Sequence, residues 1–90
     1  MAVLQLPAVL MHAQASSCRQ QLTNAMAAMQ DRVVVLDASA LQQFDSSALA
    51  VMLACRREAQ RLGRSLQVRG LPDRLRELAT LYGVLEWLQA

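Results

Sequence analysis

Apolar positions along the chain change period several times, and each change predicts an element. Residues 2–10 form a short apolar run interrupted by Pro7. The run predicts a strand, with the proline at a sheet edge or bulge because it has no N–H for a ladder. Over residues 13–30 the apolar positions Ala15, Cys18, Leu22, Ala25 and Met29 recur at three and four, one face of a helix. The same stretch is rich in Ala, Gln and Met, which favour helix. Asp31-Arg32 breaks the pattern, and Val33-Val34-Val35-Leu36 follows as an unbroken apolar run. Such a run predicts a parallel strand covered on both faces. After Asp37-Ala38-Ser39 a loop runs to Phe44, and a second helix is expected over residues 46–62 with Gly63 as its C-terminal cap. Residues 65–68 alternate and predict another strand. Gly70-Leu71-Pro72 turns the chain, and Pro72 suits the first turn of a third helix. Leu71, Leu75, Leu78 and Leu81 or Tyr82 make that helix's apolar face, Gly83 ends it, and a short apolar tail covers residues 84–88.

The resulting order is β-α-β-α-β-α. Strand–helix–strand units of this length favour parallel neighbours, so the expectation is an α/β domain with a small, mainly parallel sheet and helices packed against it. Ninety residues suit one domain, residues 1–90. An apolar content of 54% is ample for its core. One Phe, one Tyr and one Trp argue against a ligand site walled by aromatic rings. No apolar run approaches the roughly 20 residues that span a bilayer. The start, Met1-Ala2-Val3-Leu4-Gln5-Leu6, has neither the basic opening nor the long apolar stretch of a signal peptide. A cytoplasmic location is the expectation. Cys18 and Cys55 are too few for a disulfide framework or a metal site, and both fall on apolar helical faces as buried thiols.

Charge alters the picture more than composition does. Between residues 56 and 76 stand seven arginines against Glu58 and Asp73, a balance of +5; elsewhere Arg19 and Arg32 face Asp31, Asp37, Asp45, Glu77 and Glu86, a balance of −3. Every basic residue is Arg, which suits a protein interface through bidentate pairing; compositional bias gives the same pattern with no functional meaning. Because the arginines spread over two helices and a strand without interleaved aromatics, a solvated or protein-facing role fits better than nucleic acid.

Candidate chemistry concentrates after the central strand. Asp45 is placed to cap the second helix, its carboxylate accepting from first-turn amides. Ser46 and Ser47 then lie at the positive end of the helix dipole. A phosphate on either would find backbone donors and add nearly two negative charges to the surface. An ordinary Asp/Ser cap explains the same residues. At about 100° per residue, Ala48, Val51, Met52, Cys55, Ala59 and Leu62 point together toward the sheet. Leu49 and Leu53 fall beside Arg56, Arg57 and Gln60, a candidate contact strip. His12 is the sole histidine and no Gly-x-Ser-x-Gly elbow or glycine-rich phosphate loop exists. No catalytic residue, metal ligand or cofactor is assigned.

Leu36-Asp37-Ala38-Ser39 followed by Phe44-Asp45-Ser46-Ser47-Ala48-Leu49-Ala50 resembles the STAS domain of anti-sigma-factor antagonists and sulphate transporters. There a strand ends in aspartate and is followed by Asp-Ser-Ser-Gly-Leu. The resemblance continues through Gly63, Leu66-Gln67-Val68, Gly70-Leu71 and Leu78-Ala79-Thr80-Leu81-Tyr82-Gly83-Val84-Leu85, and covers about residues 2 to 88. Within the family the chain is most similar to the short STAS subunit of the bacterial phospholipid ABC transporter that maintains lipid asymmetry. The resemblance implies a non-enzymatic subunit, peripheral to the inner membrane through its partner, docked on an ATPase. The contact residues would be Asp45, Ser46, Ser47, Leu49, Leu53, Arg56 and Arg57. The alternative is an anti-sigma-factor antagonist that meets an anti-sigma factor or serine kinase and is phosphorylated at Ser47 or Ser46. A homodimer is compatible with either. Ala48 stands where the family has glycine, adding a methyl where a kinase-like partner approaches. Met11-His12 replaces polar or acidic residues, and the first strand of larger STAS domains is not evident.

Overall fold

The computed structural model describes residues 1–88. Three strands make the main sheet: β1 (Ala2–Gln5), β3 (Val33–Asp37) and β5 (Ser65–Arg69). They lie parallel in the order β1-β3-β5. The β-branched run of β3 takes the centre, where backbone groups pair on both sides and stiff side chains pack well. A second, two-stranded parallel sheet pairs β2 (Val9–Leu10) with β4 (Gln43–Phe44). Four helices complete the described chain: α1 (His12–Ala28), α2 (Ser46–Arg61), α3 (Asp73–Leu81) and α4 (Leu85–Leu88).

Register decides which strand residues meet the helices. Leu4, Leu36 and Val68 are level across the sheet, as are Ala2, Val34 and Leu66. These rows face one core, to which all four helices contribute: Cys18, Leu22 and Met26 from α1, Val51, Met52, Cys55 and Ala59 from α2, Leu75 and Ala79 from α3, and Leu88 from α4. The odd row, Val3, Val35 and Gln67, points away from it. Val35 is only 2% exposed yet lies outside the core cluster. The centre of β3 is therefore buried on both faces, as the unbroken apolar run predicts, with Val34 and Leu36 in the core that the helices fill and Val35 apart from it.

Other differences have local causes. Pro7 does not mark an edge or bulge within one strand; the run splits there, and its two halves join different sheets. Residues 43–44, expected as loop, pair with β2, and two residues carry too little periodicity to be seen in sequence. In α1 the deepest apolar residue is Met26, fully buried, while Ala25 and Met29 are half-buried. Pro72 is the residue before α3, not within its first turn. Leu81 and Tyr82 are 78% and 57% exposed and do not continue the apolar face of α3. Ala79, four residues after Leu75, takes the inward position. Gly83, at φ +73, a conformation costly for side-chain-bearing residues, turns the chain so that Val84 and Leu85 pack against the core.

These burials predict a sharp contrast in stability. Leu36→Ala, at a fully buried central position, should cost about 2–5 kcal/mol. Leu81→Ser, at an exposed one, should change stability by less than about 0.5 kcal/mol. Urea unfolding of the two variants checks both.

Candidate functional site

The β2–β4 pair lies where the starts of α1 and α2 come together. Leu10 is level with Phe44, and the chain enters each helix immediately afterwards. The first amides of any helix lack partners within it. Asp45 supplies them for both. Its Oδ1 accepts from the Ser47 N–H at 2.8 Å, capping α2, and its Oδ2 accepts from the His12 N–H at 3.1 Å, the first residue of α1. The residue before α1, Met11, has no side-chain oxygen to cap with. Gln14 reaches back to the Met11 N–H at 3.1 Å and serves one donor more. The Ser47 amide holds the Asp45 carboxyl below its ordinary value; desolvation opposes this, and the His12 amide adds to it. One negative charge thus sits at the positive ends of two helices.

Around this carboxylate the surface mixes polar side chains with small apolar ones, Ala15, Ala50 and Val51 among them. Ser46 is exposed and Ser47 half-buried. His12, Ser16, Arg19, Ser47 and Ala50 line an open groove of about 370 Å³ between α1 and α2. Asp45, His12 and Ser47, the residue types of a hydrolase triad, meet here. Their connection differs from a triad, because Asp45 is bonded to the backbone amides of both and not to the imidazole. No group of three or more His, Cys, Asp or Glu suited to a metal occurs among the described residues.

The expected contact residues separate into three places. Asp45, Ser46 and Ser47 share the helix start, and Arg57 is exposed beside a second hollow further along α2. Leu49 is only 3% exposed and belongs to the core. Leu53 is half-buried against that core. The buried arc of α2 is broad because β5, α3 and α4 pack against it as well as α1, so the exposed leucine strip expected from helix angles does not form. Arg56 lies on the opposite flank with its guanidinium 5.5 Å from the centre of the Trp87 ring, a cation–π contact that ties α4 to α2. Ala48 is fully buried; its methyl packs in the core and does not obstruct an approaching partner. His12 is the site residue that sequence reasoning did not place. Its only signal was an uncapped Met11 at a helix start.

Several arginines of the 56–76 cluster have internal partners. Arg61 makes a bidentate pair with Glu58 at 2.7 and 2.8 Å. Arg64 donates to the carbonyls of Met26 and Met29, closing the C-terminal end of α1. Arg69 reaches Asp37 at 3.5 Å. Asp37 also accepts from the Ser39 hydroxyl at 2.6 Å and the Ser39 N–H at 3.0 Å. These bonds, the Ser39 ones foremost, hold its carboxyl below the ordinary value. Gly70 is required beside them, since a Cβ there would lie 3.0 Å from the Ser39 backbone nitrogen. Burial raises the Cys18 thiol and pushes Cys55 up to about 12, so neither is a thiolate near neutral pH.

The family model described as Mlab, STAS domain, matches residues 1–89. The chain belongs to the STAS family. Its fold is that of the anti-sigma factor antagonist SpoIIAA, solved in its unphosphorylated form: TM-score 0.77 at 18% identity, over 97% of this chain and 76% of that one. A STAS domain of a SulP transporter from Vibrio cholerae is also similar, with TM-score 0.71 at 12% identity, over 97% of this chain and 66% of that one. At these identities the likeness is one of fold. No curated protein matches the chain. No helix among the described residues is long and apolar enough to cross a membrane.

The shared cap makes stability depend on pH in a defined direction. A carboxyl whose value is lowered by folding stabilises the native state above its unfolded value, and the contribution is lost as pH falls through the folded value. Asp45→Ala should therefore melt below the parent protein at neutral pH. The gap should persist down to the ordinary carboxyl value of 3.8 and narrow below it. Thermal melts of both proteins across this range provide the check.

Proposed function

We propose that the chain is a single, non-enzymatic STAS domain over residues 1–90 that works in the cytoplasm as the MlaB-type subunit of a phospholipid ABC transporter. In this reading it docks on the ATPase subunit, sits peripheral to the inner membrane through that partner, and supports assembly or activity of the transporter. Lipid moves elsewhere in the complex. The observation that carries the proposal is the match of residues 1–89 to the Mlab description, together with a helix start whose backbone amides are already bonded to Asp45. That start leaves Ser46 exposed on a fixed surface. A preformed surface of this kind limits the ordering cost of association. Asp45 orients the surface, and Ser46, Ser47 and Arg57 contribute contacts. Leu49 and Leu53 support it from behind, and Arg56 braces α4.

A second reading is supported by the likeness in fold to an anti-sigma factor antagonist described as unphosphorylated. Here Ser47 takes phosphate from a serine kinase, and the added charge, next to the Asp45 carboxylate, controls binding to an anti-sigma factor. The burial of Ala48 removes the steric objection to that chemistry.

Co-purification with the ATPase of the phospholipid transporter from the same genome tests the first reading. Ser46→Glu, which places a second carboxylate beside Asp45, should weaken capture at least about tenfold, a loss of about 1.4 kcal/mol. Unchanged capture would remove Ser46 from the contact surface. Intact-mass measurement after incubation with the cognate kinase tests the second: the docking subunit stays at its native mass, whereas an antagonist gains one phosphate.

A further inference from the structure

Beyond the serines, the groove between α1 and α2 continues and changes character. On α1 the residues facing it are His12, Ser16, Arg19 and Thr23; on α2 they begin at Ser47 and end at Arg61. Arg19 borders both hollows, and their α2 residues, from Ser47 and Val51 to Ala54, Glu58 and Arg61, step at three and four along one helix edge, so the two lie end to end as one trough between the same helices. At 1.5 Å per residue, Ser47 to Arg61 spans about 21 Å, enough for a short helix or extended segment to lie along it. The far half, about 490 Å³, is bordered by Arg19, Arg57, Arg61 and Glu58. Three positive charges against one leave a local balance of +2 in one concave place. Arg61 and Glu58 satisfy each other. Arg19 and Arg57 have no acidic partner among the described residues and are exposed.

We infer that this trough receives an acidic segment of the partner protein, with Arg19 and Arg57 as its carboxylate-binding residues. The inference rests on the docking reading above and extends its surface from the serines along the two helices. Charge complementarity selects the occupant. Two guanidiniums without an internal partner can each take a carboxylate in a bidentate pair. The described lining of the trough has no Phe, Tyr or Trp, and His12 at one end is its single ring, too little for successive bases to stack on. The arginines of α3 are different: Arg74 and Arg76 are exposed but do not line the trough.

Calorimetric titration against the phospholipid transporter's ATPase from the same genome, at low and high salt, tests this. The proteins compared are the parent chain, the double variant Arg19→Glu/Arg57→Glu, the double variant Arg74→Glu/Arg76→Glu, and Ser46→Glu. Thermal melting first verifies that each is folded, which exposed positions permit. The expected result is that the Arg19/Arg57 variant loses at least about tenfold in affinity and much of its salt dependence. The Arg74/Arg76 variant, with the same net charge, should bind like the parent. Equal losses in the two double variants would mean that only net charge matters, and would overturn the trough. Loss in Ser46→Glu with none in Arg19→Glu/Arg57→Glu would overturn the trough alone and leave the docking reading standing. No binding by the parent chain would overturn both.

Discussion

One carboxylate joins the starts of the two longest helices. Asp45 follows β4 directly, and the parallel pairing of β4 with β2 brings it to the first residue of α1, 33 positions earlier in the chain. If α1 had a capping residue of its own, Asp45 would be needed only by α2, and the two helix starts would be joined by the β2–β4 pairing and side-chain packing without this bond. With Met11 in that place, the entry of α1 depends on a residue in another element. The exposed serine, the trough and the arginines along it are all positioned relative to this shared cap. It also explains why the family's aspartate is better read as a structural fixture of the surface than as a group that itself reacts.

The remaining architecture supports that end of the molecule asymmetrically. All four helices share one core with the three-stranded sheet, and α2 touches α1, β5, α3 and α4. Its leucines are consumed by this packing, and little of α2 besides its first turn and the edge toward α1 stays available. Internal partners use up Arg61, Arg64 and Arg69, and Arg56 stacks on Trp87. An arginine cluster that looks uniform in sequence is therefore divided in space among an ion pair, a helix terminus, a strand end and a ring face. Of the arginines left without a partner, Arg57 lies on the edge of α2 toward α1, and Arg74 and Arg76 lie apart from it on α3.

Much of the fold was legible because its signals are local. The Val33–Leu36 run, the three-and-four spacing of α1, the capping pattern at Asp45 and the glycines after α2 and α3 each act within a few residues. What was not legible depends on partners far apart in the chain. Pro7 reads as an interruption of one strand until β4 is known to wait for the second half. Leu49 reads as exposed by helix angle because the angle cannot tell how many elements will pack on α2. Ala48 reads two ways, toward the sheet by helix angle and as an obstacle where the family has glycine, until its burial decides for the first. At the site, the Asp-Ser-Ser block declared itself, but His12 did not: its role belongs to its backbone amide, about which its side chain says nothing. Arg64 was hidden for the same reason, as its acceptors are the backbone carbonyls of α1.

The central claim is that the surface where α1 and α2 begin, fixed by Asp45 and continued along the trough, is the face that meets the partner. Amide hydrogen exchange, measured on the chain alone and with the ATPase proposed as its partner, addresses it directly. The account predicts new protection over residues 11–19 and 45–57 on binding, with the outward sheet face unchanged. Protection that appears instead over residues 2–5, 33–37 and 65–69, with both helix starts exchanging as in the free chain, would contradict it.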